Sequence, residues 1–595
     1  MKRLIPIFLA VLGACTENIP EPSPFGTLPS PAQVEWQKQE LTMFYHFGPS
    51  TFSGLTGENA TNRYDSEELV ALFKPSAVDT DQWVRTAAEN GFKAVIITAK
   101  HHDGFSLWPN PRSECNVSLC ESPYNVDVVG ALSASCEKYG LNFGVYLSPW
   151  DKNDPVFGTA EYNDHYVEAL KSLVGGTYGK VSEMWFDGNG ANRSPYDFNL
   201  FNATVLEANP DCVIFSNVGP GCRWVGNEQG TASETSWSAF SPSRYGASQG
   251  ALPGDFEKYL GEGDPDGEYW IPAETDMSIR PISDAGGWFW SPGESTKSAR
   301  ELMGIYYRSV GRNSIMLLNV PPTVDGVLDA ADVKALEQFR HIRESVFGTN
   351  LADGAVVSAS SVRGGGGSRF APEKILDAAY DDYYAAAEGE NEVTLEFVLP
   401  SPVEFNRLML QEYIPLGQRI CSFTIEVKED GLWREWGEGV KSTVGYKRII
   451  LGESVRTDAV RLSVKALAPP LLNGFGLYLD TFTDVPVFDV PENGIVDIGE
   501  IDGDAGPLTF RLRIPNGYSG SLVPVGATVH CGCTSAKTGS EVLPGEDEIV
   551  EITYDPLLGG GFREKLEILY SASSATRIRP LEFTGEVLFG DELSY

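Results

Sequence analysis

The 595-residue sequence predicts a multidomain protein with a (β/α)8-type barrel at residues 37–347 and two β domains at 352–482 and 484–595. A chain of this length is too long for a single hydrophobic core. From residue 41 to about 320, short apolar runs such as 269–272 alternate with amphipathic helical segments such as 79–90 and 129–139. This alternation is typical of a parallel sheet covered on both faces. Seven or eight such units in about 300 residues favour a closed barrel. After residue 343, short alternating strands and turn signals indicate sandwiches.

The first 36 residues precede the barrel and predict export. Lys2 and Arg3 are followed by a mostly apolar run that is too short to span a bilayer, as in a signal peptide. Gly13-Ala14-Cys15 is similar to the end of a bacterial lipobox, so residues 1–15 are interpreted as a lipoprotein signal peptide with Cys15 lipidated. Ordinary signal cleavage nearby is the alternative. The Pro- and Ser-rich segment 16–36 is interpreted as a tether. We therefore expect an exported bacterial lipoprotein, either periplasmic or anchored to the outer membrane or cell surface.

The amino-acid composition argues against nucleic acid as a binding partner. The chain has 82 acidic and 45 basic residues and a formal net charge of −37, whereas nucleic-acid binding requires an excess of basic residues. Eight cysteines follow Cys15 in a compartment where disulfides persist, and Cys115 and Cys120 are close enough in sequence to bridge a loop or to remain free. No Cys/His cluster has zinc-ligand spacing, so no metal site is predicted.

Polar and aromatic residues concentrate where the apolar runs of the barrel end. In a (β/α)8 barrel the carboxyl ends of the strands form the catalytic face. The residues at these ends are His46, His101, His102, Asp103, Tyr146, Asp187, Asn217, Glu274 and Asn319. Three of the six histidines in the protein are among them, which indicates a site rather than scattered structural histidines.

Two motifs, residues 99–108 and 184–188, closely resemble signatures of glycoside hydrolase family 29, the α-L-fucosidases. Further matches, in order along the chain, are residues 44–48, 223–228 and 272–276, Arg280, and residues 287–290. The resemblance covers about residues 37–347. It implies a retaining exo-α-L-fucosidase that removes terminal L-fucose from a fucosylated glycan, with a leaning towards α-1,3/1,4 linkages. An α-L-galactosidase of the same family and a non-catalytic fucose-binding surface lipoprotein are the alternatives.

The resemblance implies that Asp187 is the nucleophile. Retaining glycoside hydrolysis independently needs one ionised carboxylate and one carboxylic acid. An unpaired acid at the end of so apolar a run would otherwise be costly. Alignment of the motifs places the acid/base at Glu228, with Glu274 as the main alternative and Glu58 or Glu234 still open.

The family pattern also implies the residues that bind the sugar. An imidazole can donate and accept hydrogen bonds at once, which suits vicinal hydroxyls, and aromatic faces suit the C–H surface and methyl group of fucose. The predicted binding residues are His46, Glu58, His101, His102, Tyr146, Trp185, Arg223 and Trp290. The chemistry requires no cofactor, and a structural calcium ion in the first β domain stays open.

The two β domains resemble accessory modules. Residues 374–377, 408–419 and 445–448 are similar to discoidin-like (factor 5/8 type C) sandwiches, which either bind sugar or pack against the barrel. Residues 484–595, which include Cys531-Gly532-Cys533-Thr534, resemble bacterial Ig-like domains.

Overall fold

The computed structural model describes residues 19–588 except 55–59, 189–192, 250–256, 283–286, 378, 482–486, 492, 503–507, 519, 540, 546, 557–559 and 573–574. The predicted signal peptide with Cys15, and also Glu58, lie outside the described residues. Within them, no helix has the length and apolar character needed to cross a membrane. The chain divides into two compact units, residues 1–481 and 482–595.

The predicted closed barrel is confirmed. The strands of this region are β1 (Leu41–Tyr45), β2 (Ala94–Lys100), β3 (Asn142–Leu147), β4 (Val181–Trp185), β5 (Val213–Ser216), β6 (Cys222–Trp224), β7 (Ala239–Phe240), β8 (Tyr269–Trp270), β9 (Ala273–Ser278) and β10 (Ser314–Asn319). Eight of them close in the order β1-β10-β9-β6-β5-β4-β3-β2, and their pairings are parallel. Every residue of β2, β9 and β10 is buried, as expected for strands covered on both faces.

Ten α-helices accompany these strands among the described residues. They are α1 (Pro31–Gln37), α2 (Pro49–Phe52), α3 (Ser66–Leu72), α4 (Thr80–Glu89), α5 (Val128–Tyr139), α6 (Tyr162–Val174), α7 (Phe198–Ala208), α8 (Glu257–Glu262), α9 (Ala299–Arg308) and α10 (Ala330–Phe347). Asp79, Asp127 and Asp197 begin α4, α5 and α7 by accepting a backbone N–H in the first turn. The predicted helices at 79–90 and 129–139 correspond to α4 and α5.

One strand assignment from the sequence is wrong. The run 269–272 was expected to be a barrel strand that ends just before Glu274. Instead, β8 pairs antiparallel with β7, and the barrel strand is β9, which follows it after Pro272. Pro272 lacks the N–H that a central strand must donate, so the chain forms its barrel strand only beyond this residue.

The predicted tether is also wrong for the described residues 19–36. Ser30 forms a capping box at the start of α1, and Trp36 in this helix is 2% exposed. Before the helix, Arg363 donates a hydrogen bond to the carbonyl of Pro20, and the N–H of Phe25 donates to the carbonyl of Leu416. This segment is therefore packed structure rather than a flexible linker.

The first β domain is antiparallel and belongs to the same compact unit as the barrel. Its strands are β11 (Val356–Ala359), β12 (Tyr384–Ala385), β13 (Glu392–Glu412), β14 (Ile420–Glu429), β15 (Leu432–Glu435), β16 (Arg448–Ala466) and β17 (Leu471–Tyr478). Hydrogen bonds join it to the barrel: the amide of Gln418 donates to the carbonyl of Ser236, and Tyr307 donates to Asp480. These contacts make the domain a packing partner of the barrel.

The second compact unit contains two four-stranded sheets around a core of its own. Its strands are β18 (Val487–Asp489), β19 (Ile495–Asp502), β20 (Leu508–Pro515), β21 (Val523–Val529), β22 (Thr534–Lys537), β23 (Asp547–Tyr554), β24 (Gly560–Ala572) and β25 (Ala575–Leu588). The β character predicted for both accessory domains is confirmed. Their discoidin-like and Ig-like resemblances stay predictions.

The structure decides between the two alternatives left open for Cys115 and Cys120. Both cysteines are free and buried, and their thiols point towards the carbonyls of Ser66 and Val70. Among the described residues, a disulfide joins Cys531 to Cys533.

The two compact units lead to a prediction about truncation. A chain that ends at Thr481 should fold with a melting temperature close to that of the same unit in the full chain, because its core lies within one unit. A chain that ends at Phe347 should be insoluble, because it exposes the barrel surface that the first β domain covers. Size-exclusion chromatography and thermal unfolding measure both. A soluble, monomeric and cooperatively unfolding shorter chain would contradict the packing role of the first β domain.

Candidate active site

A cavity of about 310 Å³ opens at the carboxyl ends of the barrel strands. Strands β1 to β6, β9 and β10, with the loops that follow them, supply or support its walls. The lining residues are Phe44, His46, His101, Tyr146, Trp185, Asp187, Gly188, Phe215, Asn217, Trp224, Glu228, Asp276 and Trp288. The volume and the mixture of aromatic and polar side chains suit one small polar ligand such as a monosaccharide.

A larger cleft of about 1010 Å³ lies at the opposite, amino-terminal end of the barrel strands. Its walls include Trp36, Asn142 and Val213, at the start of β3 and β5 and in α1. In barrel enzymes this end serves stability, whereas the chemistry takes place at the carboxyl end. The smaller cavity is therefore the candidate site.

Asp187 lies on the floor of the cavity, two residues beyond β4, and its side chain is 21% exposed. The hydroxyl of Tyr146 donates a 2.7 Å hydrogen bond to Asp187 Oδ2. The Nε2 atom of His102 lies 3.7 Å from the same oxygen, and its Nδ1 is 2.7 Å from the hydroxyl of Ser148. These contacts hold one carboxylate oxygen in a fixed orientation within the cavity.

Three histidines predicted from the sequence meet at this end of the barrel. Burial lowers the pKa of His46 to about 3 and that of His102 to about 4, and it lowers the pKa of His101 well below its ordinary value. All three imidazoles are therefore neutral at neutral pH. A neutral ring can donate from one nitrogen and accept at the other, as binding to sugar hydroxyls requires.

The tautomer of His46 follows from its partner. His46 Nδ1 lies 2.9 Å from Asn319 Oδ1. The amide nitrogen of Asn319 donates to Ser278 and to the carbonyl of Trp288, so its oxygen must face His46. Nδ1 of His46 is then the donor, and Nε2 is left as an acceptor for a ligand hydroxyl.

Aromatic rings form the apolar wall. Trp185 stacks on Phe215 with ring centroids 3.8 Å apart, and on Tyr146 at 5.4 Å. Trp288 lies 4.9 Å from the ring of His46. Faces of this kind suit the C–H surface of a sugar ring.

Two further carboxyl groups face the cavity. Partial burial and the charge of Asp187 raise the pKa of Glu228, although much of its side chain is exposed. Burial, with the nearby charge of Glu228, raises the pKa of Asp276 well above its ordinary value. The indole N–H of Trp224 donates a 2.8 Å hydrogen bond to Asp276. The cavity therefore holds Asp187 together with two carboxyl groups whose surroundings favour the protonated form.

Glu274 does not lie where the sequence suggested. It sits within β9 and is fully buried in the barrel interior, below the cavity. Its carboxylate accepts a 2.8 Å hydrogen bond from the indole N–H of Trp185. Because Glu274 does not line the cavity, it cannot reach a leaving group there, and its alternative assignment as the acid is corrected.

Three other residues that the sequence suggested for the site do not line the cavity. The guanidinium of Arg223 is fully buried and donates to the backbone carbonyls of Leu260, Ile271 and Trp237. Every donating nitrogen of Arg223 is thus occupied within the protein, and its predicted contact with sugar is wrong. Glu234 pairs with Arg312 and accepts the N–H of Val440.

Trp290 is likewise directed elsewhere, because its indole N–H donates to Asp329. Trp288 from the same aromatic triplet occupies the cavity wall instead.

Asp276 is the functional carboxyl group that the sequence interpretation missed. Side chains two residues apart on a strand point to the same face, so Asp276 could have been paired with Glu274 once β9 was placed correctly. The misplaced strand at 269–272 hid this alternation. Phe44 and Phe215 were also missed, because an aromatic residue inside an apolar run gives no signal that distinguishes a cavity wall from core.

Donor atoms that could hold a metal ion occur in three groups among the described residues. These groups are His101, His102 and Asp187; Glu183, Cys222 and Glu274; and Cys531, Cys533 and Glu564. The cysteines of the last group form a disulfide and are not thiolate ligands. The first group belongs to the cavity described above. That the chemistry needs no cofactor stays a prediction, as does calcium in the first β domain.

Several carboxyl groups around a sugar-sized cavity suit glycoside hydrolysis, and known proteins similar to this chain belong to that class. A family model described as alpha-L-fucosidase matches residues 25–341. The Arabidopsis thaliana alpha-L-fucosidase 1 is 40% identical over 473 residues, which cover 78% of this chain and 90% of that protein. The chain therefore belongs to the α-L-fucosidase family, glycoside hydrolase family 29, and is a glycoside hydrolase.

A solved structure gives the same result. The Ruminococcus gnavus GH29 fucosidase in complex with fucose is 29% identical, with a TM-score of 0.70 over 78% of this chain and 97% of that chain. The structural likeness extends beyond the length of the barrel alone.

Proposed function

We propose that this α-L-fucosidase is an exo-acting enzyme that retains the anomeric configuration, with Asp187 as the nucleophile and Glu228 as the acid/base. The observation that carries the proposal is the carboxylate of Asp187 on the cavity floor, held by Tyr146 at 2.7 Å, with the raised pKa of Glu228 at the same cavity. One carboxylate that is ready to attack and one carboxyl group that is ready to donate a proton are the two parts of a double displacement.

In the first step, Asp187 attacks the anomeric carbon while Glu228 donates its proton to the departing glycosidic oxygen. The hydrogen bond from Tyr146 orients the carboxylate of Asp187 for the attack. In the second step, Glu228, now ionised, removes a proton from water, which attacks the fucosyl-enzyme and releases Asp187. A raised pKa suits Glu228 to both steps, because it favours the protonated form in the first step and makes the ionised group a stronger base in the second.

Sugar recognition is assigned to the neutral histidines and the aromatic wall. Nε2 of His46 accepts a hydrogen bond from a fucose hydroxyl, since Asn319 holds its Nδ1. His101 lines the same cavity, and Trp185 with Trp288 offers apolar faces to the C6 methyl group. The apolar wall favours a methyl over a hydroxymethyl group, so the α-L-fucoside is preferred to the α-L-galactoside. The small closed cavity favours a terminal residue.

The preference for α-1,3/1,4 linkages rests on the family resemblance of the barrel motifs and on the discoidin-like resemblance of the first β domain. It is proposed on that basis and is decided by comparing hydrolysis of oligosaccharides that carry fucose in each linkage. A non-catalytic fucose-binding protein would need neither the positioned Asp187 nor a second carboxyl group of raised pKa in the cavity.

We expect release of p-nitrophenol from the α-L-fucoside, slower release from the α-L-galactoside and none from a β-D-galactoside. Asp187→Asn should lower kcat by at least about 10⁴-fold, because the amide has almost the same shape but cannot attack the anomeric carbon. Steady-state kinetics together with circular dichroism separate lost chemistry from lost folding.

The control for this experiment is Glu234→Gln, which changes a carboxyl group remote from the cavity and should leave kcat nearly unchanged. Folded Asp187→Asn with activity near that of the wild type would refute the assignment. No release from any substrate by the wild-type protein would favour the binding protein.

The pH dependence of kcat/KM tests the proposed role of Glu228 as the acid/base. Because this group must be protonated, we expect kcat/KM to fall as pH rises through its raised pKa. Glu228→Ala should remove this alkaline limb and lower kcat about 10²- to 10⁴-fold on natural linkages. Aryl fucosides should suffer far less, because a departing phenolate hardly needs a proton.

Azide should restore turnover in Glu228→Ala and give fucosyl azide with retained α configuration, since a small anion can enter the space and attack the fucosyl-enzyme. Glu234→Ala serves as the matched control, because Glu234 was also a candidate for the acid/base but pairs with Arg312 away from the cavity. Azide should not increase the activity of this variant. If azide rescued Glu274→Ala instead, the roles of Glu228 and Glu274 would be exchanged.

We also propose that the mature enzyme is a lipoprotein anchored at Cys15, on the evidence of the small-small-Cys pattern after a short apolar run. Cys15→Ala should move the enzyme from the membrane fraction of a bacterial host to the soluble fraction. Cys421→Ala, at a free cysteine elsewhere, should stay with the membrane. A Cys15→Ala protein that remains membrane-bound would rule out the lipid anchor.

A further inference from the structure

Two carboxyl groups inside the barrel, beneath the cavity, have no part in the mechanism above. Glu183 of β4 and Glu274 of β9 are 1% and 0% exposed. Their strands are not neighbours, because β5 and β6 lie between them. The two side chains therefore face each other across the barrel interior, with one carboxyl oxygen of each within 4.8 Å of the other.

Each carboxyl group is also held by a tryptophan. The indole N–H of Trp36 donates to Glu183 Oε2 at 2.8 Å, and that of Trp185 donates to Glu274 Oε1 at 2.8 Å. Glu274 Oε2 is buried and has no donor if both groups are ionised. In the described part of the chain, neither carboxylate forms an ion pair with Lys, Arg or His.

Two facing negative charges without a cation are strongly unfavourable in a buried site. A single proton shared between the two carboxyl groups removes one negative charge and gives Glu274 Oε2 a hydrogen-bond partner in Glu183. Burial raises the pKa of both groups, to about 7 for Glu183 and well above the ordinary value for Glu274, whose pKa is raised further by the charge of Glu183. The pair then titrates as one unit.

We propose that Glu183 and Glu274 share one proton and act together as a positioning device that fixes Trp185, and through it Tyr146 and Asp187, in the active geometry. The contacts are continuous. Glu274 accepts the N–H of Trp185, Trp185 stacks on Tyr146 at 5.4 Å, and Tyr146 donates to Asp187. Neither glutamate touches the cavity, so the pair acts through the aromatic side chain and not on the sugar.

A buried metal ion is the competing explanation, because Cys222 joins the two glutamates in a group of three donors. It would require both carboxylates and the thiol to be ionised. Burial raises the pKa of the Cys222 thiol well above its ordinary value, and both indole N–H groups already occupy one oxygen of each glutamate. The geometry favours the proton, and metal analysis of the purified enzyme distinguishes the two.

The main experiment compares Glu274→Gln with Glu274→Leu. Gln has the shape of a protonated Glu, so it can accept from Trp185 and donate to Glu183, and kcat/KM should stay within about threefold of the wild type. Leu has a similar volume but leaves the Trp185 N–H unpaired and Glu183 without its proton donor, so kcat/KM should fall about 10- to 100-fold. Glu183→Gln should also be tolerated, because one amide can replace the shared proton from either side.

The double variant Glu183→Gln/Glu274→Gln should be worse than the product of the single changes. Two amides that both accept from their tryptophans would turn N–H groups towards each other. Glu412 provides the control, because it is a fully buried glutamate that binds backbone amides in the first β domain. Glu412→Leu should lower the melting temperature without changing kcat/KM of the folded protein.

An infrared measurement makes the proposal independent of activity and of the role proposed for Asp187. In an Asp187→Asn background at neutral pH, the difference spectrum against either single Gln variant should show the loss of one protonated carboxyl band. Loss of this band, tolerance of Gln and absence of stoichiometric metal are the expected results. A stoichiometric divalent metal, no band difference, or Glu274→Gln as damaging as Glu274→Leu would each overturn the shared proton. If Asp187→Asn remained active while the band was lost, only the proposed nucleophile would fail.

Discussion

Closure of the parallel barrel is the constraint on which the rest of this structure depends. Eight strands can close only if each pairs with two neighbours, and all their carboxyl ends then meet at one rim. Residues that are far apart in sequence, such as His46, His101 and Asp187, are thereby brought to a single cavity. The same closure buries both faces of the strands, so that each polar group in the interior needs a partner that the barrel itself supplies.

Burial differentiates carboxyl groups of the same chemical type. Asp187 is partly exposed and is held by Tyr146, whereas Asp276 is enclosed and its pKa is raised. Glu228, at the opening, has a pKa raised by partial burial and by Asp187. Further inside, Glu183 and Glu274 face each other and each accepts a hydrogen bond from an indole. Position in the barrel thus underlies the different roles that we propose for these acids.

The first β domain supports the barrel that carries the site. Asn313 precedes β10. The oxygen of its side-chain amide accepts the backbone N–H of Tyr446, and the nitrogen of the same amide donates to Ser236 and Ser238 in the barrel. Strand β10 ends at Asn319, which sets the tautomer of His46. The contact between the first β domain and the barrel is therefore linked, through β10, to the orientation of His46, a predicted sugar-binding residue. This supports a packing role for the domain, whether or not it also binds sugar.

The sequence alone predicted the barrel, the β character of the accessory domains and most of the polar residues at the cavity. It could do so because strand periodicity and strand-end polarity are local patterns, and because the motifs around His101 and Asp187 are contiguous. The hydrogen-bond partners of a side chain often lie far away in the sequence, and sequence patterns did not predict them here. Arg223 and Glu274 stand in motifs as recognisable as that of Asp187, yet one donates to backbone carbonyls and the other lies below the cavity. Asp276 went unnoticed because the register of β9 depends on where Pro272 lets the strand begin. Only the closed tertiary structure determines which buried polar groups face each other, because burial and pairing arise from segments that the chain brings together across the barrel.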